Sequence, residues 1–160
     1  MALLEVNGLR LHYHGPTGPV RAVDGVSFSV AEGTALGVVG ESGSGKTSLA
    51  LALMRLLPRN LAHFSGQVLL EGVDCTALGA EEFRRLRWER LSMVFQGVME
   101  SFNPVLRVGD QIVEPLRQRG AGRQEAAARG RALLEAVTLP AQVFERYPHE
   151  LSGGMKQRAL

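Results

Sequence analysis

Gly40-Glu41-Ser42-Gly43-Ser44-Gly45-Lys46-Thr47-Ser48 follows directly on the apolar run Thr34-Ala35-Leu36-Gly37-Val38-Val39, and the two together read as strand, phosphate loop, helix. Gly40, four intervening residues and then Gly45-Lys46-Thr47 have the spacing of a P-loop, whose backbone N–H groups turn inward around the phosphates of a nucleotide. Glycine at 40, 43 and 45 suits that path, because positive φ and close approach of backbone to ligand are cheap only without a Cβ. Lys46 would reach the β- and γ-phosphates, the Thr47 hydroxyl would ligate Mg²⁺, and the following helix would aim its N-terminal dipole at the anion. Ser48 adds a further phosphate contact, and Ser42 and Ser44 lie within the same loop. The alternative is a Gly/Ser turn between a strand and a helix that happens to fit the pattern.

The 160 residues, 17.3 kDa, suffice for one ordinary domain with a real core. Hydrophobic content of 45% with 21% charged residues is that of a soluble globular protein, no apolar run is long enough to span a bilayer, and the N-terminus does not read as a signal sequence. The expectation is a cytoplasmic protein. The single Cys75 excludes an internal disulfide framework and reads as a small buried hydrophobe. A net charge of +2 does not call for a nucleic-acid partner. Lys46 is one of two lysines in a chain that otherwise uses arginine, the other being Lys156.

On either side of the loop the chain changes character. From Ala2 to Tyr13 the alternation of Leu4, Val6, Leu9 and Leu11 with polar residues, broken at Asn7-Gly8, predicts two short strands joined by a turn. Gly15 to Pro19 reads as a loop and Val26 to Val30 as a strand with one buried face. Thr34 to Val39, apolar at nearly every position, predicts a central parallel strand covered on both faces. The helix from Lys46 runs to Leu57, stopped by Pro58. Gly66 to Gly72 is a short strand, Ala80 to Trp88 a charged amphipathic helix with Phe83, Leu86 and Trp88 inward, and Leu91 to Phe95 a second buried strand ending at Gln96. The arginines of that helix, Arg84, Arg85, Arg87 and Arg90, alternate with Glu81, Glu82 and Glu89 and mark a solvated face. Beyond Gln96 the pattern becomes helical: Val108 to Leu116, a break at Gly120-Ala121-Gly122, Arg123 to Val137, and a short helix near Phe144 to Tyr147. The boundaries expected are a nucleotide-binding α/β core over 1–96, a helical subdomain over 97–150, and a last segment over 151–160.

That last segment opens with Leu151-Ser152-Gly153-Gly154-Met155-Lys156-Gln157-Arg158, a helix start with Ser152 as N-cap and two glycines exposing backbone N–H groups. With a P-loop upstream and a glutamine closing an apolar strand between them, the sequence resembles the ATP-binding subunit of an ABC transporter. Gly40–Thr47 stands as its Walker A motif, Gln96 as its Q-loop glutamine and Leu151–Gln157 as its signature motif. Glu41 to Thr47, Ser101-Phe102-Asn103-Pro104-Val105, Tyr147-Pro148-His149-Glu150 and the opening Ala22 to Phe28 are similar to the branch serving oligopeptide, dipeptide and nickel importers.

The resemblance, which covers essentially the whole chain, implies a P-loop ATPase core with N-terminal antiparallel strands and a helical subdomain. It implies ATP and Mg²⁺ as cofactors. Tyr13 falls where the family stacks an aromatic on adenine, with His12 or His14 as substitutes and an ordinary edge-strand aromatic as the alternative. Gln96 would coordinate Mg²⁺ or orient the attacking water and couple the nucleotide to the helical subdomain; the alternative is a polar residue at a strand end. Ser152, Gly153, Gly154 and Gln157 would contact ATP held by the P-loop of a second ATPase subunit, identical or related. Membrane permease subunits, and through them a solute-binding protein, are the other partners, at the cytoplasmic face of the membrane. Gly97-Val98 replaces the family's usual Asp-Pro after the glutamine, and Lys156 stands where this branch often has arginine. The Mg²⁺-binding aspartate, catalytic glutamate and switch histidine of the family are expected beyond Leu160, so no catalytic base is assigned here and the 160 residues are expected to bind ATP without hydrolysing it. The functions left open are a transport ATPase, a non-hydrolytic nucleotide-binding module, and an ABC-type ATPase in a soluble role.

Overall fold

Two long strands organise the first third of the computed structural model, which describes residues 2–87, 89–95 and 101–160. β1 (Ala2–Gly15) and β2 (Gly18–Ala31) form an antiparallel hairpin with Gly15 opposite Gly18 across Pro16-Thr17. Val6, Leu9 and Leu11 of β1 are fully buried. Strict alternation would place Val6 and Leu9 on opposite faces; the register shifts between them, and the extra residue returns Leu9 to the core side. Asn7-Gly8 is therefore a bulge inside one strand, not the expected turn between two. Gly8 takes φ 57° and its N–H donates to Ser27 Oγ at 2.8 Å. β3 (Leu61–Leu70) pairs with the other edge of β1 and β4 (Val73–Asp74) with β3, giving an antiparallel order β2-β1-β3-β4. β3 begins before Gly66, which sits mid-strand at φ 103° where a Cβ would lie 2.6 Å from Leu9 Cα.

α1 (Lys46–Leu53) lays Leu49 and Ala52 on this sheet's core. It is shorter than the sequence suggests. Arg55 adopts φ 49°, its N–H donates to Ala52 O at 3.0 Å, and Leu56 N–H donates to Leu51 O at 2.9 Å, so a left-handed closing turn ends the helix before Pro58 is reached. α2 (Ala80–Leu86) buries Phe83, and its solvent face carries the expected ion pairs, Arg84 bonding Glu81 through both Nε and Nη2. Trp88 lies outside the described residues.

Two expectations are corrected. Residues 34–39 form no regular strand and are exposed throughout, Val39 at 96%. Leu91 to Phe95 makes only an isolated bridge from Leu91 to Arg87, and Val94 is 80% exposed. Apolarity on both faces tells what a segment needs, not which neighbour meets the need; a parallel strand forms only beside a partner delivered by a crossover. Among the described residues the sheet is antiparallel and complete within 2–31 and 61–74, and neither apolar run has a strand beside it.

The chain divides into two compact units, Met1–Met93 and Val94–Leu160. In the second, α3 (Val108–Ile112), α4 (Glu114–Gln118), α5 (Arg123–Ala136) and α6 (Gly153–Ala159) are joined by 3-10 turns at Ala141–Glu145 and Pro148–Glu150. The expected helix over 108–116 is two helices meeting at Val113, because Pro115 has no N–H to continue the ladder. Its core is Val108, Val113, Ala126, Leu134, Val143 and Phe144. Gly109 and Gly130 let two helices close on the Phe144 ring, where a Cβ would come within 2.4 and 2.7 Å of it. The short helix expected near 144–147 is the 3-10 turn at Ala141–Glu145.

Candidate nucleotide site

The loop before α1 is shaped by its own backbone bonds. Ser44 N–H donates to Glu41 O at 3.2 Å, closing a turn with Gly43 in its third position at φ 83°, a conformation that disfavours any Cβ. At Gly40 a Cβ would stand 2.7 Å from Ser44 Oγ. Gly45 is the tightest position: φ is 92°, and a Cβ there would lie 2.0 Å from Ala22 O on β2. The loop is thus pressed onto the sheet. Leu49 N–H reaches Gly45 O at 2.8 Å and starts the helix, leaving the N–H groups of Lys46, Thr47 and Ser48 with no acceptor inside it.

Lys46 curls back over this loop. Its ammonium donates to Gly40 O at 2.7 Å, Glu41 O at 2.6 Å and Ser44 Oγ at 3.2 Å, which uses all three donors. A cavity of about 330 Å³ opens beside it, with Ala22, Asp24, Val39, Gly40, Gly45 and Lys46 in its wall. Ser42 and Thr47 are exposed and Ser48 is half-buried. A compact cation, helix N–H groups without intrahelical acceptors and a positive helix end in one concave place are the features by which anions are held, in a volume large enough for a polyphosphate.

Asp24 was not singled out by sequence reading. A carboxylate in an anion cavity opposes binding unless it is neutralised, and here Arg10 Nε at 3.2 Å, His12 Nε2 at 3.4 Å and Arg21 Nη1 at 3.4 Å surround it. Partial desolvation pushes the Asp24 carboxyl up; the close approach of His12, the charge of Arg21 and the Arg10 bond outweigh it and hold the group below its ordinary value. The only signal was the hairpin register, which sets Asp24 opposite Arg10 in the same register as Phe28 opposite Val6, the two shifts around Leu9 cancelling.

Tyr13 sits on β1 between Val20 and Leu61, half-buried against the core of its unit, and is not among the residues lining the cavity. His12 lies beside His63, ring centroids 5.3 Å apart, and His14 is exposed. Gln96 lies outside the described residues.

In the second unit, Ser152 caps α6 as expected, its Oγ accepting Met155 N–H at 3.4 Å. Leu151 is buried and Met155 packs on the unit's core. Arg158 ties the helix to the turn at Thr138, donating to its carbonyl at 3.2 Å and its hydroxyl at 2.8 Å. Gly154 and Gln157 are exposed, and nothing lies within 4 Å of where a Gly154 Cβ would be. Upstream, Glu150 accepts the Tyr147 N–H at 2.6 Å, and Tyr147 stacks on His149. Among the described residues no helix is long and apolar enough to cross a membrane.

Comparison with known proteins agrees with this geometry. The family model described as ABC transporter matches residues 23–160. The oligopeptide transport ATP-binding protein OppD of Salmonella typhimurium is 43% identical over 99% of this chain and 48% of its own length. OppD of Escherichia coli is 42% identical with the same coverage, and the dipeptide transport ATP-binding protein DppD of Lactococcus lactis subsp. cremoris is 41% identical over 99% of this chain and 46% of its own length. The chain spans about half the length of these relatives. Among solved structures, MJ0796, titled a bacterial ABC transporter cassette in dimeric form, superposes with TM-score 0.82 at 22% identity over 98% of this chain and 66% of its own. The same cassette in a dimeric post-hydrolysis state bound to ADP and Pi gives 0.79 at equal identity and coverage. The fold is that of the ABC ATPase cassettes, and the chain belongs to the ABC transporter family.

Proposed function

We propose that this chain is the ATP-binding part of an ABC importer subunit that couples ATP hydrolysis to uptake of peptides or a related solute, nickel included. The observation that carries the reading is Lys46, whose ammonium is held by three oxygen atoms of its own loop at the start of a helix with unpaired N–H groups. Phosphate oxygens of ATP exchange with those three acceptors at little cost, because the same donors are satisfied before and after. The N–H groups of residues 45–48 bind the phosphates, the Thr47 hydroxyl holds Mg²⁺, and Ser42, Ser44 and Ser48 add hydroxyl contacts. Gln96 serves as second Mg²⁺ or water contact. Tyr13 supports adenine.

The 160 residues bind ATP without turning it over. Asp24, the one carboxylate among the described residues lining the cavity, is engaged by Arg10 and Arg21 and is a poor proton acceptor. Hydrolysis belongs to the whole protein, about twice this length in the relatives. Gly154 supports pairing with a second ATPase subunit. Alanine is the better helix former, and nothing in this chain crowds a Cβ there, so the glycine favours a group that approaches from outside. Ser152, Gly153 and Gln157 meet the same group, the γ-phosphate on the partner. In this reading the dimer docks on membrane permease subunits at the cytoplasmic face, fed by a solute-binding protein; the relatives' names, transport ATP-binding proteins for oligopeptides and dipeptides, support the transport role. Affinity purification of the whole protein from its own membranes tests the reading. Co-purifying permease subunits with ATPase activity support it, and co-purifying nucleic acid, or a lone polypeptide without hydrolysis, overturns it.

A further inference from the structure

The carboxyl end of α1 is held by two arginines that reach past each other. Arg55 closes the helix at φ 49°, a position where glycine is the usual residue because a Cβ is costly there. Its side chain gives the reason for an arginine. Nη1 donates to Leu78 O at 2.7 Å and Cys75 O at 3.3 Å, so the guanidinium grips the segment leading into α2. From the far end of α2, Arg87 reaches back: Nε donates to Met54 O at 3.2 Å and Nη2 to Arg55 O at 3.3 Å, the carbonyls left over where α1 stops. Both guanidiniums lie over the ring of Phe83, at 4.9 and 5.3 Å from its centroid, and that ring is 1% exposed. Two positive groups thus meet the negative end of α1, where its dipole favours them.

We propose that Arg55 and Arg87 are positioning residues for the phosphate loop, fixing the far end of α1 so that its near end presents Gly45, Lys46 and Thr47 in the binding geometry. This rests on the reading of that loop as a triphosphate site. α1 has eight residues and is about 12 Å long, a rigid lever that buries Leu49 and Ala52 and packs Leu53 against the same core. Its near end has no slack. Gly45 already lies so close to Ala22 O that no Cβ fits, so a tilt of the helix must either press the loop into β2 or lift it away. N–H groups aimed at an anion lose much of their effect when displaced by fractions of an ångström.

The test compares Arg87→Ala and Arg55→Gly with wild type in the full 160-residue chain, titrating inorganic triphosphate with Mg²⁺ and recording backbone amide resonances of Gly45, Lys46 and Thr47 without ligand. Arg55→Gly accommodates the positive φ and keeps the turn, so it removes the grip while sparing the fold. The expected result is triphosphate affinity reduced about tenfold in Arg87→Ala and severalfold in Arg55→Gly, with loop amides displaced in both. Arg87→Lys does not rescue, because an ammonium bonded to both carbonyls has no planar group to lay on the Phe83 ring. Folded variants that melt earlier yet keep wild-type affinity and unmoved loop amides overturn the proposal and leave the arginines as structural supports. Failure of wild type itself to bind triphosphate overturns the functional reading; the ligand-free amide positions still decide whether the arginines set the loop.

Discussion

The starts of α1 and α6 both hold glycine, and they need it for different reasons. At the start of α1 the chain itself demands glycine: Gly45 combines φ 92° with a 2.0 Å gap between an added Cβ and Ala22 O. At the start of α6, Gly154 has open space around it and is not among the glycines at positive φ. A serine hydroxyl caps the second start, whereas the first has no side-chain cap. A glycine in a motif can therefore report either on the fold that carries it or on what approaches from outside. Only the space around its missing Cβ tells the two apart.

Substitutions measure that difference. Gly45→Ala is expected to have the largest effect, destabilising Met1–Met93 by about 3 kcal/mol from left-handed strain plus overpacking, read from urea unfolding, and removing nucleotide binding with it. A change within experimental error would mean that the loop does not rest on β2. Tyr13→Ala asks whether the first start binds more than phosphate. ATP should weaken by about fivefold and inorganic triphosphate should not, and equal losses for both would remove adenine stacking. Gly154→Ala should act in the opposite sense on stability, raising it by about 0.5–1 kcal/mol through helix propensity, while lowering ATP-driven association of the whole protein. Unchanged association would take Gly154 out of the partner contact.

The smallest expected effect concerns Asp24, a charge that the second start lacks. Its folded-state carboxyl is lowered, so its contribution to stability is fully present above the ordinary value of 3.8 and is lost as pH falls through the depressed one. Asp24→Asn should therefore trail wild type by a constant small amount at neutral pH, the gap closing under acid. A gap that persists at low pH would assign the effect to packing instead of charge.

Legibility followed the range over which each feature is determined. The tight loop before α1 could be read because Gly40 and Gly43 answer to local backbone geometry, and the Ser152 cap and the helix at 123–136 for the same reason, whereas the contact of Gly45 with Ala22 could not. Ser152 needs only its own next three residues. The bulge at Asn7-Gly8 could not, since a glycine between alternating strands fits a turn or a bulge equally well until the pairing of Leu9 with Val26 decides. Residues 34–39 and 91–95 show the same limit from the other side: their apolarity was legible and their partners were not. The Arg10–Asp24 pair and the grip of Arg87 on Met54 join residues 14 and 33 positions apart, and strand pairing and helix packing, not local pattern, bring them together.

The loop at residues 40–48 as a triphosphate site is tested most directly by the dissociation constant of Mg·ATP for wild type and Lys46→Ala, measured calorimetrically on folded chains. The expected result is measurable binding by wild type and at least about hundredfold weaker binding by the variant, the loss of charge-assisted bonds worth about 3 kcal/mol, at nearly unchanged stability. Equal affinity of the two chains for ATP would place the nucleotide elsewhere and contradict the assignment.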